Sequence, residues 1–497
     1  MMEIFISPND IFQENANLMV IFCEEDNPIE YSGFNKEVNQ KLNGLIQNFV
    51  IEKEEFKAEF GKTYLLSAYE SQEIKSDKIL MVGLGKVSEL TFAKFRELSQ
   101  IIIKICKGIK NTKRIILKMP EIDIITKDIE YYTQAFVEGA LISGYSFDKY
   151  KTKNDNTLMN SLTLYQDDKE LFKIMEKGLN KGRLISQSVN FARNLVNEPA
   201  SVLTPCKLAQ IASSLDKIET KIYDKDQIEK MGMNAFLAVS KGSIQEPRFI
   251  HMHYKPENPR KSIAIIGKGI TFESGGLDLK PASSMLTMKD DMSGAALVVS
   301  IMSVLESLKI DIEVHGIIAA CENMIGSKAY KPGDILRAKN GKTIEVDNTD
   351  AEGRLTLADA LCYADDLKVD EIIDIATLTG ACMVALGTIA SGIMGTSKEL
   401  IDRIVAISDR TGENLWELPL YRDYKDCLKS DIADMKNTGS RYGGASVAGC
   451  FLSNFVENKN WVHIDIAGTA FLDKPYKGYI KGATGVMVNT ILTYLQS

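Results

Sequence analysis

Asn348-Thr349-Asp350-Ala351-Glu352-Gly353-Arg354, NTDAEGR, follows the strand-like run Thr343-Ile344-Glu345-Val346-Asp347 and precedes the helix-like run Leu355-Thr356-Leu357-Ala358-Asp359-Ala360-Leu361. Two carboxylates and a guanidinium therefore sit on a strand-to-helix turn, the junction that recurs in α/β folds. Asp350 and Glu352 are two residues apart, so in an extended turn they point the same way, with Arg354 at the next alternate position. Alone, such a turn reads as an acidic helix cap, because carboxylates suit helix N-termini.

A second cluster upstream changes that reading. Gly267-Lys268-Gly269-Ile270-Thr271-Phe272-Glu273-Ser274-Gly275-Gly276-Leu277-Asp278-Leu279-Lys280-Pro281 leaves a strand ending at Ile266, and Lys289-Asp290-Asp291-Met292-Ser293-Gly294 precedes the next helix. Loops at strand C-termini are where open α/β sheets build sites. Together these loops supply Lys268, Glu273, Lys280, Asp291, Asp350, Glu352 and Arg354. Four carboxylates in one cleft repel by several kcal/mol without compensation. Two divalent cations about 3.5–4 Å apart would neutralise them and polarise a shared water. The lysines add electrophilic charge, and Arg354 can hold an anion through two donors. The chain has four histidines and none lies in these loops, so a Ser-His-Asp or Cys-His nucleophile has no support.

Further out, strand-like and helix-like runs alternate. Residues 169–497 offer strands at Phe249–Tyr254, Ser262–Ile266, Glu313–Ala319, Glu371–Ala376 and Trp461–Ile466, apolar enough for a sheet covered on both faces. Helices are expected at Gly294–Leu308, Leu355–Asp365 and Val447–Glu457. His251-Met252-His253 places two imidazoles on one face of a strand; with no other histidine nearby in sequence they read as ordinary sheet residues. Residues 1–168 repeat the alternation with strands at Leu18–Phe22, Lys78–Gly83 and Arg114–Leu117, which predicts a separate, largely parallel α/β domain. Gly83-Leu84-Gly85 lacks a third glycine at Ser88 and reads as a tight turn. The polar stretch at 150–170 marks the boundary, and a helix at about 169–195 links the two domains.

The 497 residues carry a net charge of −8, which argues against general nucleic-acid binding. Eight scattered cysteines without a CxxC pair fit reduced, buried thiols. MMEIFISPNDIFQ has no basic region followed by an apolar core, so no signal peptide and a cytoplasmic location are expected. The uncharged run Ile375–Ser397 is long enough for a bilayer, but its Gly, Ala, Thr and Ser content fits a buried strand and tight packing, not a membrane span.

NTDAEGRL together with GKGITFESGGLDLKP resembles the leucyl aminopeptidase family, the two-metal cytosolic aminopeptidases. The resemblance continues through FARNLVNEPASVLTP (191–205), ENMIGSKAYKPGDIL (322–336), DIATLTGA (374–381), NTGSRYGGASVAGCFLSNFV (437–456) and HIDIAGTA (463–470). It implies a macrodomain-like α/β N-terminal domain and a C-terminal α/β/α catalytic domain with a mixed central sheet. It also implies hydrolysis of N-terminal leucine or other apolar residues from short peptides, by a hydroxide bridging two divalent metals (Zn or Mn; Mg or Co in some members), in a homohexamer. By the same resemblance Lys268, Glu273, Asp291, Asp350 and Glu352 would be metal ligands, and Lys268 would bind as a neutral amine. Lys280 would stabilise the oxyanion, and Arg354 would hold a bicarbonate that takes a proton from the bridging water. Met288, Thr377, Leu378, Gly380, Ala467 and Ala470 would line the pocket for the first side chain. Glu273 departs from the family's usual Asp. Its extra methylene moves the carboxylate by about 1.5 Å at full extension. A weakened, scaffolding relative is the alternative this departure suggests; a dinuclear phosphoesterase lacks the expected histidines.

Overall fold

The computed structural model describes residues 2–25, 33–68, 71–152 and 159–497. Residues 153–158 of the polar stretch lie outside the described residues. The chain divides into two compact units, 1–187 with 475–480, and 188–474 with 481–497. The division runs through the helix Lys169–Asn197.

The first unit holds β1 (Glu3–Ser7), β2 (Leu18–Glu24), β3 (Thr63–Ser67), β4 (Lys78–Gly85), β5 (Arg114–Lys118) and β6 (Ser161–Tyr165) in the order β1-β6-β5-β2-β4-β3. All neighbours are parallel except β3 with β4. The polar stretch thus contributes a strand to this sheet, because Leu162 and Leu164 alternate into its core. At Gly83 a Cβ would stand 2.1 Å from the carbonyl oxygen of Glu59. Close backbone approach therefore explains this glycine without any bound nucleotide.

The second unit contains β7 (Glu219–Tyr223), β8 (Arg248–Tyr254), β9 (Ser262–Glu273), β10 (Glu313–Asn323), β11 (Ile335–Arg337), β12 (Thr343–Glu345), β13 (Glu371–Ala376), β14 (Ser391–Gly395), β15 (Leu415–Glu417), β16 (Met435–Lys436) and β17 (Trp461–Asp465). Eight of these form a mixed sheet ordered β15-β14-β17-β13-β9-β10-β8-β7. Its centre, β17-β13-β9-β10, is parallel and almost wholly buried. That burial explains the unbroken apolar runs. The helix Ser293–Met302 and the helix Gly353–Asp366 both pack on β9 and are buried along most of their length. Ile375–Ser397 forms the end of β13, the short helix Gly380–Leu386 and β14. No helix among the described residues is long and apolar enough to cross a membrane.

One expectation changes. β9 does not end at Ile266; it continues to Glu273 because β10 stays paired with it as far as Asn323. The strand before NTDAEGR, β12, lies in a separate three-stranded ribbon, β11-β12-β16.

Candidate metal centre

Lys268 and Glu273 project from β9 itself, with side chains 4% and 1% exposed. Asp291 precedes the helix Ser293–Met302, whose Gly294 packs so closely that a Cβ would meet the carbonyl oxygen of Ile375 at 2.2 Å and the amide of Lys268 at 2.9 Å. Only glycine lets this helix seat Asp291 beside Lys268. Glu352 stands immediately before the helix Gly353–Asp366, and its side chain makes no capping hydrogen bond. A Cβ on Gly353 would lie 2.3 Å from Cε of Lys268, so Gly353 makes room for the lysine.

Lys268 Nζ joins three partners: Asp291 Oδ1 at 2.7 Å, Glu352 Oε1 at 3.0 Å and the Thr377 carbonyl at 3.0 Å. Thr377 Oγ1 donates to Asp291 Oδ1 at 2.8 Å. Oxygens of Glu273, Asp350 and Glu352 lie within 4.8 Å of one another. Lys280 Nζ stands 2.5 Å from Asp350 Oδ1. The structure thus brings all five expected ligands and Lys280 into one connected cluster.

Burial sets the electrostatics. It pushes Asp290 and Asp291 up to about 7 and, with the neighbouring Glu352 and Asp291 charges, holds Glu273 well above the usual carboxylate range. Burial also pushes Glu352 upward, but Lys268 and the hydrogen bond shared with Glu273 carry it below its ordinary value. Burial alone would lower the Lys268 ammonium, yet the charges of Asp291 and Glu352 outweigh it and hold the lysine above its ordinary range. Five acids thus face two lysines, and Asp291 Oδ2 and Asn323 Oδ1 are buried without a hydrogen-bond partner among the described residues. Excess carboxylate with unsatisfied oxygens fits divalent cations.

Arg354 is 9% exposed; its guanidinium donates to the Asn437 carbonyl at 2.9 Å, and its Nε has no acceptor among the described residues. Of the expected pocket residues, Thr377 touches the centre directly. Leu378 and Ala467 donate their backbone N–H groups to Asp465 Oδ1. Met288, Gly380 and Ala470 make no hydrogen bond to the carboxylates. Ala470 is 3% exposed and borders a void of about 10 Å³ with Ser293, Leu297, Ile466 and Val486.

Several positioning residues escape sequence reasoning. Asn323 donates to both oxygens of Glu273 and to the Thr349 carbonyl. Tyr330 donates to that same carbonyl at 2.7 Å. Asp278 accepts from Thr349 N, and Asn437 accepts from Asp347 N and donates to the Asn348 carbonyl. These side chains bind NTDAEGR to the rest of the unit. Asn323, Tyr330 and Asn437 lie in the stretches 322–336 and 437–456 that carry the family resemblance, which was the available signal.

Comparison with known proteins agrees. The cytosol aminopeptidase family's catalytic domain matches residues 190–492, and its N-terminal domain matches 20–154. A probable cytosol aminopeptidase of Persephonella marina is 47% identical over 93% of each chain, and one of Aquifex aeolicus is 41% identical over 99% of this chain and 98% of its own. Among solved structures, a mutant of tomato leucine aminopeptidase has a TM-score of 0.88 and 32% identity, covering 100% of this chain and 97% of its own. The bottromycin maturation enzyme BotP in complex with Mn has a TM-score of 0.83 and 28% identity, covering 97% and 99%. An α/β chain matched over its whole length by such enzymes is a metallo-aminopeptidase. It belongs to the cytosol aminopeptidase family.

Proposed function

We propose that the chain removes N-terminal leucine and other apolar residues from short peptides, using two divalent cations held by Lys268, Glu273, Asp291, Asp350 and Glu352. Zinc or manganese suits this donor set, with magnesium or cobalt as substitutes; the Mn in BotP supports manganese. The carrying observation is the cluster around Lys268, in which the carboxylates outnumber the lysines paired with them. When bound, the cations would supply Lewis acidity to the scissile carbonyl and lower the pKa of an attacking, bridging water.

The chain's own groups do the rest. Lys280 Nζ, half-buried and anchored by Asp350, is placed to stabilise charge developing on the carbonyl oxygen. Arg354, fixed by Asn437, presents a guanidinium to a small anion such as bicarbonate, which would accept the proton of the attacking water. Thr377, Leu378, Gly380, Met288, Ala467 and Ala470 would bound the pocket for the first side chain. Small residues at Gly380, Ala467 and Ala470 favour an apolar side chain there. A homohexamer in the cytoplasm completes the reading, on the family's implication.

The test is hydrolysis of leucine p-nitroanilide by protein loaded in turn with Zn, Mn, Co and Mg. Turnover with at least one metal, lost in Lys280→Ala and Arg354→Ala, is expected. No turnover with any of the four overturns the reading.

A further inference from the structure

Three of the chain's four histidines gather at the far end of the same strands. His251 and His253 lie on β8, and Glu313 and His315 open β10, with His253 and His315 as register partners. His253 Nε2 is 2.7 Å from Glu313 Oε1, and His315 Nε2 is 3.9 Å from that same oxygen. The three ligand atoms lie within 4.8 Å of one another. The rings of His253 and His315 stack with centroids 4.4 Å apart. A line of hydrogen bonds backs them: His315 Nδ1 to His251 Nε2 at 2.9 Å, His251 Nδ1 to Tyr363 Oη at 3.0 Å, and Tyr363 Oη to Tyr223 Oη at 3.4 Å. If His251 Nδ1 donates to Tyr363, His251 Nε2 accepts from His315 Nδ1, and the lone pair of His315 is left on Nε2, the atom beside Glu313. A metal-binding imidazole needs this backing.

We propose that His253, Glu313 and His315 form a second cation site for a borderline d-block dication such as Zn²⁺. Two imidazoles and a carboxylate are a common zinc donor set, with the fourth position open to water. Glu219, register partner of His253 on β7, adds a carboxylate on the neighbouring strand. The 3.9 Å span between His315 and Glu313 is close to the roughly 3.3 Å edge of a tetrahedron with zinc-length bonds. His253 must turn out of the stack to open its shorter contact. Lys255, 3.5 Å from Glu313 Oε1 and exposed, is the counter-ion an incoming cation would displace, and Lys221 already pairs with Glu219. Burial and the neighbouring His253 hold His315 down to about 4, so it is a neutral ligand at pH 7. His315 and Asn323 are eight residues apart on β10, which puts this site about 26 Å from Glu273 along the strand.

Metal-free full-length protein is to be titrated with Zn²⁺ at neutral pH, and bound zinc counted by elemental analysis. One more zinc per chain is expected in the wild type than in His253→Gln/His315→Gln. That ion should persist in Asp350→Asn/Glu352→Gln, where the peptidase centre is emptied. Glu313→Gln, which keeps the side chain's shape, should weaken it roughly tenfold or more, and it carries the test if the double histidine variant does not fold. Equal zinc counts and affinities in the wild type and the histidine and Glu313 variants overturn the proposal.

Discussion

Asn323 grips Glu273: its side-chain amide lies 3.0 Å from Oε1 and 3.2 Å from Oε2 of the carboxylate, across the β9–β10 ladder. The same amide reaches the Thr349 carbonyl at 2.9 Å, so one side chain couples the longer acid on β9 to the NTDAEGR turn. The extra methylene of Glu273 is therefore fixed in place, not left to wander.

Removing the grip should loosen the centre. Asn323→Ala is expected to weaken divalent-cation affinity about 10- to 100-fold, the usual cost of losing a group that orients a ligand. Isothermal titration with Mn²⁺ reads it. Curves that overlay the wild type would show that Glu273 needs no such support. Glu273→Asp, which restores the shorter acid but moves it away from Asn323, should also bind more weakly.

Lys280→Ala should separate binding from chemistry. The lysine neighbours Asp350 but is not among the five ligands, so metal content should stay near wild type while kcat falls about 10²- to 10³-fold. A variant with normal kcat would remove Lys280 from the reaction.

Cation uptake should depend steeply on pH. In the cation-free protein burial pushes Asp290 and Asp291 up to about 7 and holds Glu273 well above the usual carboxylate range, while the Asp291 and Glu352 charges keep Lys268 protonated. Bound cations must displace these protons, so affinity should fall as pH drops below about 7. With more than one proton released, the fall exceeds about tenfold per pH unit. Competition titrations at pH 6 and 8 decide it, and equal affinities would refute proton displacement.

The histidine cluster predicts acid sensitivity. Burial, with His315 and His253 beside His251 and with His253 beside His315, depresses His251 and His315 from 6.5 to about 4. Between about pH 4 and 6.5 the unfolded chain therefore binds more protons than the folded one, so stability falls as pH falls through that window. Facing them are His253, Lys221 and Lys255, which deepen the effect, and Glu219 and Glu313, which oppose it. The loss should be at most about 2 kcal/mol per histidine once solvent screening is allowed for. Urea melts of metal-free protein at pH 7 and 5 measure it; His251→Gln/His315→Gln should show a shallower pH dependence, and an equal one would refute this assignment.

Much of the fold was legible because its signals are local. The unbroken apolar runs of β9, β10, β13 and β17 follow from burial on both faces, and the spacing of Asp350, Glu352 and Arg354 is set by one turn. The end of β9 was not legible. Gly267 and Gly269 look like a loop, but they are demanded by close neighbours: a Cβ on Gly267 would meet Gly294 O at 2.4 Å, and one on Gly269 would meet Ile318 Cγ2 at 2.7 Å. The ribbon under NTDAEGR was hidden for a similar reason, since three-residue strands leave little periodicity to read.

The sequence by itself determined which residues could hold cations, because residue type and short spacing fix charge and donor atoms. Tertiary structure decided how they are held. Asn323 meets Glu273 from 50 residues away, Asn437 meets Arg354 from 83, and His315 joins His251 from 64. Such partnerships depend on strand register and on how elements pack. A pair of side chains becomes a hydrogen bond only when the backbone brings them within about 3 Å, and no spacing along the chain records that.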